Sequence, residues 1–493
     1  MAAGLTLSGC AAVGPKFSPP LPPPANGYAG AGDQAPARAV LNADTRVSGP
    51  WWRALGSPAL DQVMTRALAN NQTVASAQAT LEKARAQAER DRGALGPDAA
   101  MGASFQRQRI NTSAFGFAGF PSPTISLYNI GPTVSYDLDI AGGGRRRLEA
   151  ALAAAQAQGF KADAAYLTLT GNVALQAVRI AALRAQIQTV EGFIVDDRKS
   201  IDIVHRAEEE GGSAPSAGLG GKLQLQQDLA LLPQLTQQLA QARHALALLV
   251  GEAPSQWSPP DFTVSEFTLP AAIPVDLPSA LARRRPDIQA AEAQLHADTA
   301  VIGMETARLY PDVRLVAGLS QEGLTPGSLF GFGATAYNFG PAATAPLFDG
   351  GQIRADRRAA QAQARASLAQ YRQTVITAFV QVSDVLSALA QDEERLTTLG
   401  RAEETARASL EDARSAYRLG GAPLVSVVVA DRTWRRASLA RVEALGQQLS
   451  DIVALYGATA SDWRSTPEAA PASSGKTLQE QSGKRLAPPR QSP

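Results

Sequence analysis

The chain has 493 residues, of which 45% are hydrophobic and 18% are charged, so apolar side chains suffice for a sizeable buried core. Its formal net charge is +1, which gives no electrostatic basis for a nucleic-acid partner. No apolar run approaches the roughly 20 residues of a transmembrane helix, and the longest, at 425–430, is far shorter. A protein of this composition that crosses a membrane must therefore do so with β-strands.

The single cysteine, Cys10, excludes an internal disulfide and follows Leu7, Ser8 and Gly9. An aliphatic residue, two small residues and a cysteine are typical of a bacterial lipobox, in which the cysteine is acylated. Residues 1–10 lack the basic region of a full signal peptide, so we interpret them as a truncated lipoprotein signal; the alternative is a chance cysteine. The proline-rich residues 11–50 are predicted to form an extended tether, and Ala11 favours export to the outer membrane.

The two halves of the chain have similar sequences, which indicates a tandem duplication. Residues 70–98 align without gaps onto residues 284–312, and each stretch ends in a Leu-x-Pro-Asp motif. Glycine pairs recur further along, with Gly142-Gly143 matching Gly350-Gly351 and Gly211-Gly212 matching Gly420-Gly421. We predict a first repeat at 51–256, a linker at 257–274, a second repeat at 275–457 and a disordered polar tail at 458–493.

Each repeat is predicted to have the same order of elements: a helix, a β-hairpin, a very long helix and a shorter return helix. The first helices are placed at 58–92 and 277–309, before Pro-Asp pairs that end them. The predicted hairpins cover 99–140 and 313–348, the second long helix 352–419, and the return helices 222–250 and 424–456.

The hairpin strands show period-two alternation of apolar and polar residues. In the stretch 130–140 the apolar face is Ile130, Pro132, Val134, Tyr136, Leu138 and Ile140, and the stretch 337–347 has the same phase. The partner strands at 99–109 and 313–322 alternate more weakly, and the loops 111–129 and 323–333 are rich in Gly, Phe, Pro and Ser. A half-buried sheet of a soluble protein shows the same pattern, so the strands alone leave both interpretations open.

The long helices favour the membrane interpretation because they carry heptad repeats. Apolar residues recur every seven positions in two series: Val173, Ile180, Ile187, Ile194 and Ile201, and Leu368, Val375, Val382, Leu389 and Leu396. Sustained heptads predict left-handed coiled-coil packing. A helix over 352–419 would span about 100 Å, a length that suits a structure bridging a wide gap.

A sheet in lipid must close into a barrel, because open edges leave backbone groups unsatisfied. Four strands per chain are too few, since the smallest barrels have about eight. We therefore predict a homotrimer that pools the strands of three copies. The two glycine motifs then mark the turns where a strand becomes a helix: Asp139, Gly142 and Gly143 in the first repeat, and Asp349, Gly350 and Gly351 in the second. A phosphate loop is disfavoured because neither motif ends in Gly-Lys-Ser/Thr.

Several longer stretches carry a resemblance to a known family: LSGCAAVGPKFSPP, PWWRALGSPALDQVMTRALANN, the second-repeat helix LPSALARRRPDIQAAEAQLHADTA and NFGPAATAPLFDGG. Together they resemble the outer-membrane efflux protein family of TolC-like channels, in particular the NodT-type lipoproteins of resistance–nodulation–division systems. The resemblance implies a mainly α fold with a β-barrel part, in which a trimer forms a twelve-stranded barrel and a twelve-helix periplasmic tube.

The same resemblance implies a function and partners. The protein would be the passive exit duct of a tripartite efflux pump, surrounded by outer-membrane lipid, with no catalytic residue, no metal and no cofactor. Its partners would be a periplasmic adaptor protein and an inner-membrane transporter of the resistance–nodulation–division type. The cargo would be small molecules such as drugs.

The periplasmic tip departs from the family pattern, in which Tyr-Arg-x-Gly is followed nine residues later by an Asp of an acidic constriction. Tyr417, Arg418 and Gly420 match, but the position nine after Gly420 is Val429. The remaining acidic candidates for a gate are Glu208, Glu209, Glu210 and Asp431. Either these residues form a modified gate, which we favour, or the constriction is apolar; Glu208–Glu210 could also be a solvated helix end.

Other functions find less support in the residues. The histidines His205, His244 and His296 lie far apart, and no Cys/His cluster or nucleophile motif is present, so an enzyme is not expected. A lipid-anchored coiled-coil scaffold would keep Cys10 and the heptads but would not need the two alternating hairpins. The exit duct of a type I protein secretion system is the alternative among channels.

Overall fold

The computed structural model describes residues 12–25, 27–28, 30, 39–41, 50–116, 119–209, 215–268, 273–275 and 278–459. Cys10, Glu210, the pair Gly211-Gly212 and the tail beyond 459 lie outside the described residues, and so do the predictions made for them.

The described elements follow the predicted order in both halves of the chain. The first half contains β1 (Ala39–Leu41), α1 (Pro58–Asn70), α2 (Gln72–Gly93), β2 (Asp98–Arg109), β3 (Thr124–Asp137), α3 (Gly143–Glu209) and α4 (Pro215–Val250). The second contains β4 (Ile273–Val275), α5 (Pro278–Arg284), α6 (Pro286–Ala307), β5 (Asp312–Gly323), β6 (Thr335–Thr344), α7 (Gln352–Arg418) and α8 (Leu424–Thr459). Since α3 and α7 both have 67 residues and α4 and α8 both have 36, the second half repeats the first.

The first helix of each repeat is broken, so the predicted continuous helices at 58–92 and 277–309 are wrong. Asn71 leaves the helical conformation with φ −67° and ψ 121°, and its side chain accepts hydrogen bonds from the backbone N–H groups of Thr73 and Val74. Arg285 breaks the second helix at the matching position with ψ 126°, because the ring of Pro286 disfavours the helical conformation in the preceding residue. A helix cap thus starts a new helix at the same place in both repeats.

The four hairpin strands form one antiparallel sheet in the order β2-β3-β5-β6. The strand bounds differ from the predicted 130–140 and 337–347: β3 starts earlier, at Thr124, and ends at Asp137, while β6 covers Thr335–Thr344. Strand β3 cannot continue to residue 140 because Asp139 has a positive φ of 42°, which turns the chain out of the sheet.

The register gives the sheet one apolar face and one polar face. Met101 pairs with Pro132, Tyr136 with Leu315, and Ala317 with both Val134 and Phe339, so the apolar series of all four strands lie on the same side. The opposite face carries Ser104, Gln106, Asn129, Thr133, Gly318, Ser320, Glu322 and Asn338. The apolar band from Tyr128 to Tyr136 is about 25 Å long at ~3.3 Å per residue, which matches the lipid-facing band of outer-membrane barrels.

The main core joins the two repeats where α1, α3 and α8 meet. Trp51 is fully buried, its ring stacks on that of Tyr456 at 5.4 Å between centroids, and its indole N–H donates to Thr170. Arg285, at the break before α6, donates to the carbonyl oxygen of Ala458 at the end of α8. Strands β1 and β4 form a separate parallel pair, which the sequence pattern did not predict.

Helix α7 contradicts the expectation that no segment is long and apolar enough to span a membrane. Judged by length and composition alone, an 18-residue window of α7 could cross one. The expectation counted uninterrupted apolar runs and so missed a window that includes polar residues. We interpret this part of α7 as packing surface, because Val375, Val382 and Leu389 are buried against neighbouring helices.

Candidate functional site

Two regions of the fold bear on function: the junctions where strands pass into the long helices, and the opposite end of those helices, called the tip here. At the first junction Asp139 caps α3. Its carboxylate accepts hydrogen bonds from the backbone N–H groups of Gly144 at 2.8 Å and Arg145 at 2.9 Å, and from Arg145 Nε at 3.1 Å. Gly142 has φ 78° and Gly143 begins the helix, so the turn uses a conformation that favours glycine.

The second junction uses the same device at the start of α7. The Asp349 carboxylate accepts from the N–H groups of Gly351 at 2.9 Å and Ile353 at 2.8 Å, and these donors lower the pKa of Asp349. Gly350 and Gly351 have φ values of 63° and 87°. An aspartate at each helix N-terminus satisfies backbone donors that would otherwise lack partners.

The N-terminal segment is fixed to the first junction. The guanidinium of Arg146, whose side chain is 6% exposed, donates to the carbonyl oxygens of Ala12, Val13 and Gly14 at 3.0–3.3 Å. Val13 N–H in turn donates to the carbonyl of Ala141. Gly14 lies so close to Gly303 of α6 that a Cβ on Gly14 would approach the Gly303 Cα to 2.4 Å. Ala12 therefore lies directly beside the strand-to-helix turn.

The segment continues along the helices, so the described part of the predicted extended tether is a strap that packs against them. Phe17 stacks on His296 with 4.3 Å between ring centroids, and His296 Nε2 lies 3.0 Å from Glu149. Further on, the hydroxyl of Tyr371 donates to the carbonyl of Pro20. His296 is thus a packing residue.

At the tip, the acidic gate candidates that the structure describes all have local partners. Glu208 accepts from the N–H of Gly218 at 3.1 Å, and Glu209 lies 3.4 Å from His205 one turn earlier on α3. Asp431 binds Arg435 and Arg414 at 2.5 and 3.4 Å. Glu210 lies outside the described residues.

Asp431 belongs to a buried ionic cluster that the sequence did not reveal. The Arg435 guanidinium contacts three carboxylates: Asp197 of α3 at 2.7 Å, Asp228 of α4 at 2.6 Å and Asp431 of α8. The side chains of Arg435, Asp197 and Asp228 are 5–8% exposed. Arg435 therefore faces three carboxylates across three helices, and among the described residues only Asp431 has a second cationic partner, the more exposed Arg414.

The surroundings of Asp197 change the pH at which its carboxylate takes up a proton. Burial raises the pKa of Asp197 and Arg435 lowers it, while the neighbouring Asp228 carboxyl adds to the rise, so that the net pKa is about 6. One oxygen of Asp197, Oδ2, has no hydrogen-bond partner among the described residues. A proton on Asp197 would relieve both the repulsion and the missing hydrogen bond.

The side chains exposed at the tip include apolar ones beside charged ones such as Glu209, which is 65% exposed. Val425 and Val429 lie one turn apart on α8 and are 62% and 59% exposed. Leu219 and Leu223 form a similar pair at the start of α4, and Leu419 precedes the turn at Gly420, which has φ 75°. Tyr417 and Arg418 line a cavity between the helices.

Comparisons with known proteins agree with this fold. The model of a family described as outer membrane efflux protein matches two stretches, 63–252 and 277–461. The pyoverdine export outer membrane protein OpmQ of Pseudomonas aeruginosa is 30% identical over 419 residues, which cover 84% of this chain and 88% of OpmQ. Outer membrane protein OprJ of the same organism is 28% identical, over 93% of this chain and 94% of OprJ.

A solved structure of the outer-membrane channel OprN superposes with a TM-score of 0.82 at 26% sequence identity. The match covers 92% of this chain and 99% of the OprN chain. The similarity therefore extends over the strands, the long helices and the tip together.

We expect Asp197→Asn to stabilise the protein at pH 8. The folded state holds a proton on Asp197 below about pH 6, while the unfolded chain holds it only below about pH 4. Stability should therefore fall as pH rises from about 4 to 6 and stay lower above that, by ~2–3 kcal/mol at most. Asparagine removes this penalty because it is neutral at every pH.

The measurement is urea unfolding followed by far-UV circular dichroism at pH 5 and pH 8. The control is Asp196→Asn, which changes an exposed neighbour paired with Lys199. If Asp197→Asn were destabilising to the same extent at both pH values, the carboxylate would be a net stabilising partner of Arg435 and the proposed protonation would be wrong.

Proposed function

The chain belongs to the outer membrane efflux protein family and is the outer-membrane component of an efflux pump; we propose that it works as a passive exit channel built from three identical chains. The observation that carries the proposal is the four-stranded sheet with two open edges. In the part of the chain that the structure describes, β2 and β6 each pair on one side only, and one face of the sheet is apolar.

Such a sheet is unstable in lipid unless it closes, because each unpaired backbone group in hydrocarbon costs several kcal/mol. Three copies supply twelve strands, enough for a barrel with a lumen. The apolar face then contacts lipid and the polar face, with Asn129, Thr133 and Glu322, lines the lumen. Because this wall carries amides, hydroxyls and charges, the lumen would be filled with water, and small polar or amphiphilic molecules could pass through it.

The long helices support a role that spans the periplasm. Both α3 and α7 have 67 residues, which corresponds to about 100 Å at ~1.5 Å per residue. Each starts at a capped junction directly after a strand, so the helices lead away from the membrane. We infer that the tip meets a periplasmic adaptor and that an inner-membrane transporter delivers the cargo.

Two neighbouring substitutions test which face of the sheet contacts lipid. Val134→Lys places a charge on the apolar face and should reduce assembly of the channel, because a lysine near the bilayer midplane costs about 2–4 kcal/mol. Thr133→Lys, one residue away on the polar face, should assemble normally and change the ion selectivity toward anions. The readouts are cross-linked trimer in outer-membrane extracts and single-channel conductance in planar bilayers.

Equal effects of the two lysines would contradict the assignment of the faces. A purified wild-type chain that remains a water-soluble monomer without conductance would contradict the channel proposal itself.

We further propose that Cys10 is acylated and anchors the chain in the outer membrane. The position of Ala12 supports this, because it lies against Gly142 at the junction that closes the first hairpin. Only Ala11 lies between Cys10 and the described strap, so a lipid on Cys10 would lie at the membrane surface. Arg146 would hold the anchored end at this depth.

Radiolabelled palmitate tests the anchor in cells that express the chain behind a complete lipoprotein signal sequence. Cys10→Ser should abolish labelling, since the chain has one cysteine. Arg146→Ala should keep the label while making the N-terminal strap more sensitive to protease, because the clamp on Ala12, Val13 and Gly14 is lost. Labelling of Cys10→Ser at the wild-type level would refute acylation at this residue.

We propose that the tip constriction is apolar, which departs from the acidic gate favoured by the sequence. Support comes from the exposed Val425 and Val429, and from the local pairing of Glu208, Glu209 and Asp431. Apolar rings restrict ion flow by dewetting, so they need no fixed charge.

Adding a carboxylate at this position should therefore change selectivity. We expect Val429→Asp to raise cation over anion permeability severalfold in planar bilayers, because three copies would place a ring of negative charge in the lumen. Glu209→Ala is the matched change and should leave selectivity unaltered. The opposite result, a loss of cation selectivity in Glu209→Ala and none gained in Val429→Asp, would restore the acidic gate.

A further inference from the structure

A cavity of about 660 Å³ lies near the tip, between the α3–α4 hairpin and the α7–α8 hairpin. All four helices of one chain contribute to its wall, so it does not depend on a second copy. Ligand sites of proteins typically have volumes of about 300–1,000 Å³. The cavity is therefore large enough for a small organic molecule.

The wall of the cavity combines apolar and charged side chains. Its apolar part contains Ile201 and Val204 of α3 and Leu424, Val427 and Val428 of α8. The polar part of the wall contains Asp197 and Asp431, which belong to the Arg435 cluster, together with Glu411 and the two arginines Arg414 and Arg418. A molecule that fits must combine an apolar body with a polar group.

The charges indicate the sign of that polar group. Arg435 already contacts three carboxylates, and the Oδ2 atom of the buried Asp197 has no hydrogen-bond partner in the described part of the chain. Arg414 reaches Asp431 only at 3.4 Å, and Arg418 bonds to Ser415 on its own helix. In the buried part of the cluster, the carboxylates of Asp197 and Asp228 thus share one guanidinium, that of Arg435, and a proton or another cation can neutralise the excess negative charge.

We propose that this cavity binds an amphiphilic cation, an amine or amidine carried on an apolar body, with the charged group against Asp197 and Asp431. The ligand supplies the positive charge that the cluster lacks, and its apolar body replaces water along α3 and α8. The site is separate from the lumen of the channel. Its occupation would connect the two hairpins of one chain, since both contribute to the wall.

A proton competes with the ligand for the same carboxylate. Because burial and Asp228 raise the pKa of Asp197 to about 6, the carboxylate is neutral in a growing fraction of molecules below that pH. Asp228 of α4 and Arg435 of α8 act directly on Asp197, and the same cavity wall also contains Gln224, Glu411, Arg414, Arg418 and Asp431. Binding should therefore weaken on acidification, which an ordinary apolar ligand would not show.

The experiment uses the purified full-length protein and two fluorescent probes. Monodansylcadaverine has an apolar ring system and a primary amine, and dansyl amide has the same rings without the charge. Fluorescence anisotropy titrations at pH 8 and pH 5 give the affinity of each. We expect monodansylcadaverine to bind with saturation, more tightly at pH 8 than at pH 5, and more tightly than dansyl amide.

Three variants test the residues. Asp197→Asn should weaken binding about tenfold, the scale of a lost charge-assisted hydrogen bond, and remove the pH dependence. Val428→Phe keeps every charge and should block binding by filling the cavity. Asp392→Asn is the control, because burial also raises the pKa of Asp392, to about 7, but this residue lies outside the cavity wall.

The outcomes separate this proposal from the channel function. Equal binding of the two probes, or unchanged binding in Asp197→Asn and Val428→Phe with native circular dichroism, would overturn the cavity site even if the protein conducts ions. Binding with the expected variant pattern would support the site even if the reconstituted channel were closed.

Discussion

The unpaired edges of the four-stranded sheet are the constraint on which the rest of the structure depends. β2 and β6 expose backbone donors and acceptors on one side, and a membrane offers no water to satisfy them. Closure with other copies removes the edges and determines which face meets lipid. It also requires every strand to alternate in one register, and the pairing of Ala317 with Val134 and Phe339 maintains that register across both hairpins.

Closure has consequences at the points where the chain leaves the sheet. A strand must turn sharply into a helix that starts a rod of 67 residues. In both repeats an aspartate accepts the first free N–H groups of the helix and glycines adopt positive φ values. Arg146 adds the N-terminal strap to the same junction in the first repeat, so the barrel, the long helix and the membrane-proximal end of the chain are held together at one place.

At the tip, the packing of the helices depends on a buried cluster of charged side chains. A buried cluster with three carboxylates around Arg435 is not an efficient source of stability, because the desolvation of charges offsets most of their attraction. It does specify how α8 sits against α3 and α4, since few other arrangements satisfy the guanidinium. Because burial and the neighbouring Asp228 raise the pKa of Asp197 to about 6, the charge of the cluster depends on pH.

The amino-acid sequence by itself determined the features that depend on local periodicity. Alternation predicted the four strands, heptads predicted the long helices, the repeated Gly-Gly motifs predicted the turns, and the duplication predicted that both halves share one plan. The helix break at Asn71 also has a local signal, a residue type that caps helices. Tertiary structure alone decided the contacts between distant positions. Arg435 meets Asp197 and Asp228, more than 200 residues away in the chain, and Arg146 meets Val13. No periodic pattern records such pairs, because they depend on how finished helices pack. For the same reason the sequence did not show that Glu208 accepts a hydrogen bond from the backbone of Gly218, or that Asp431 binds Arg435.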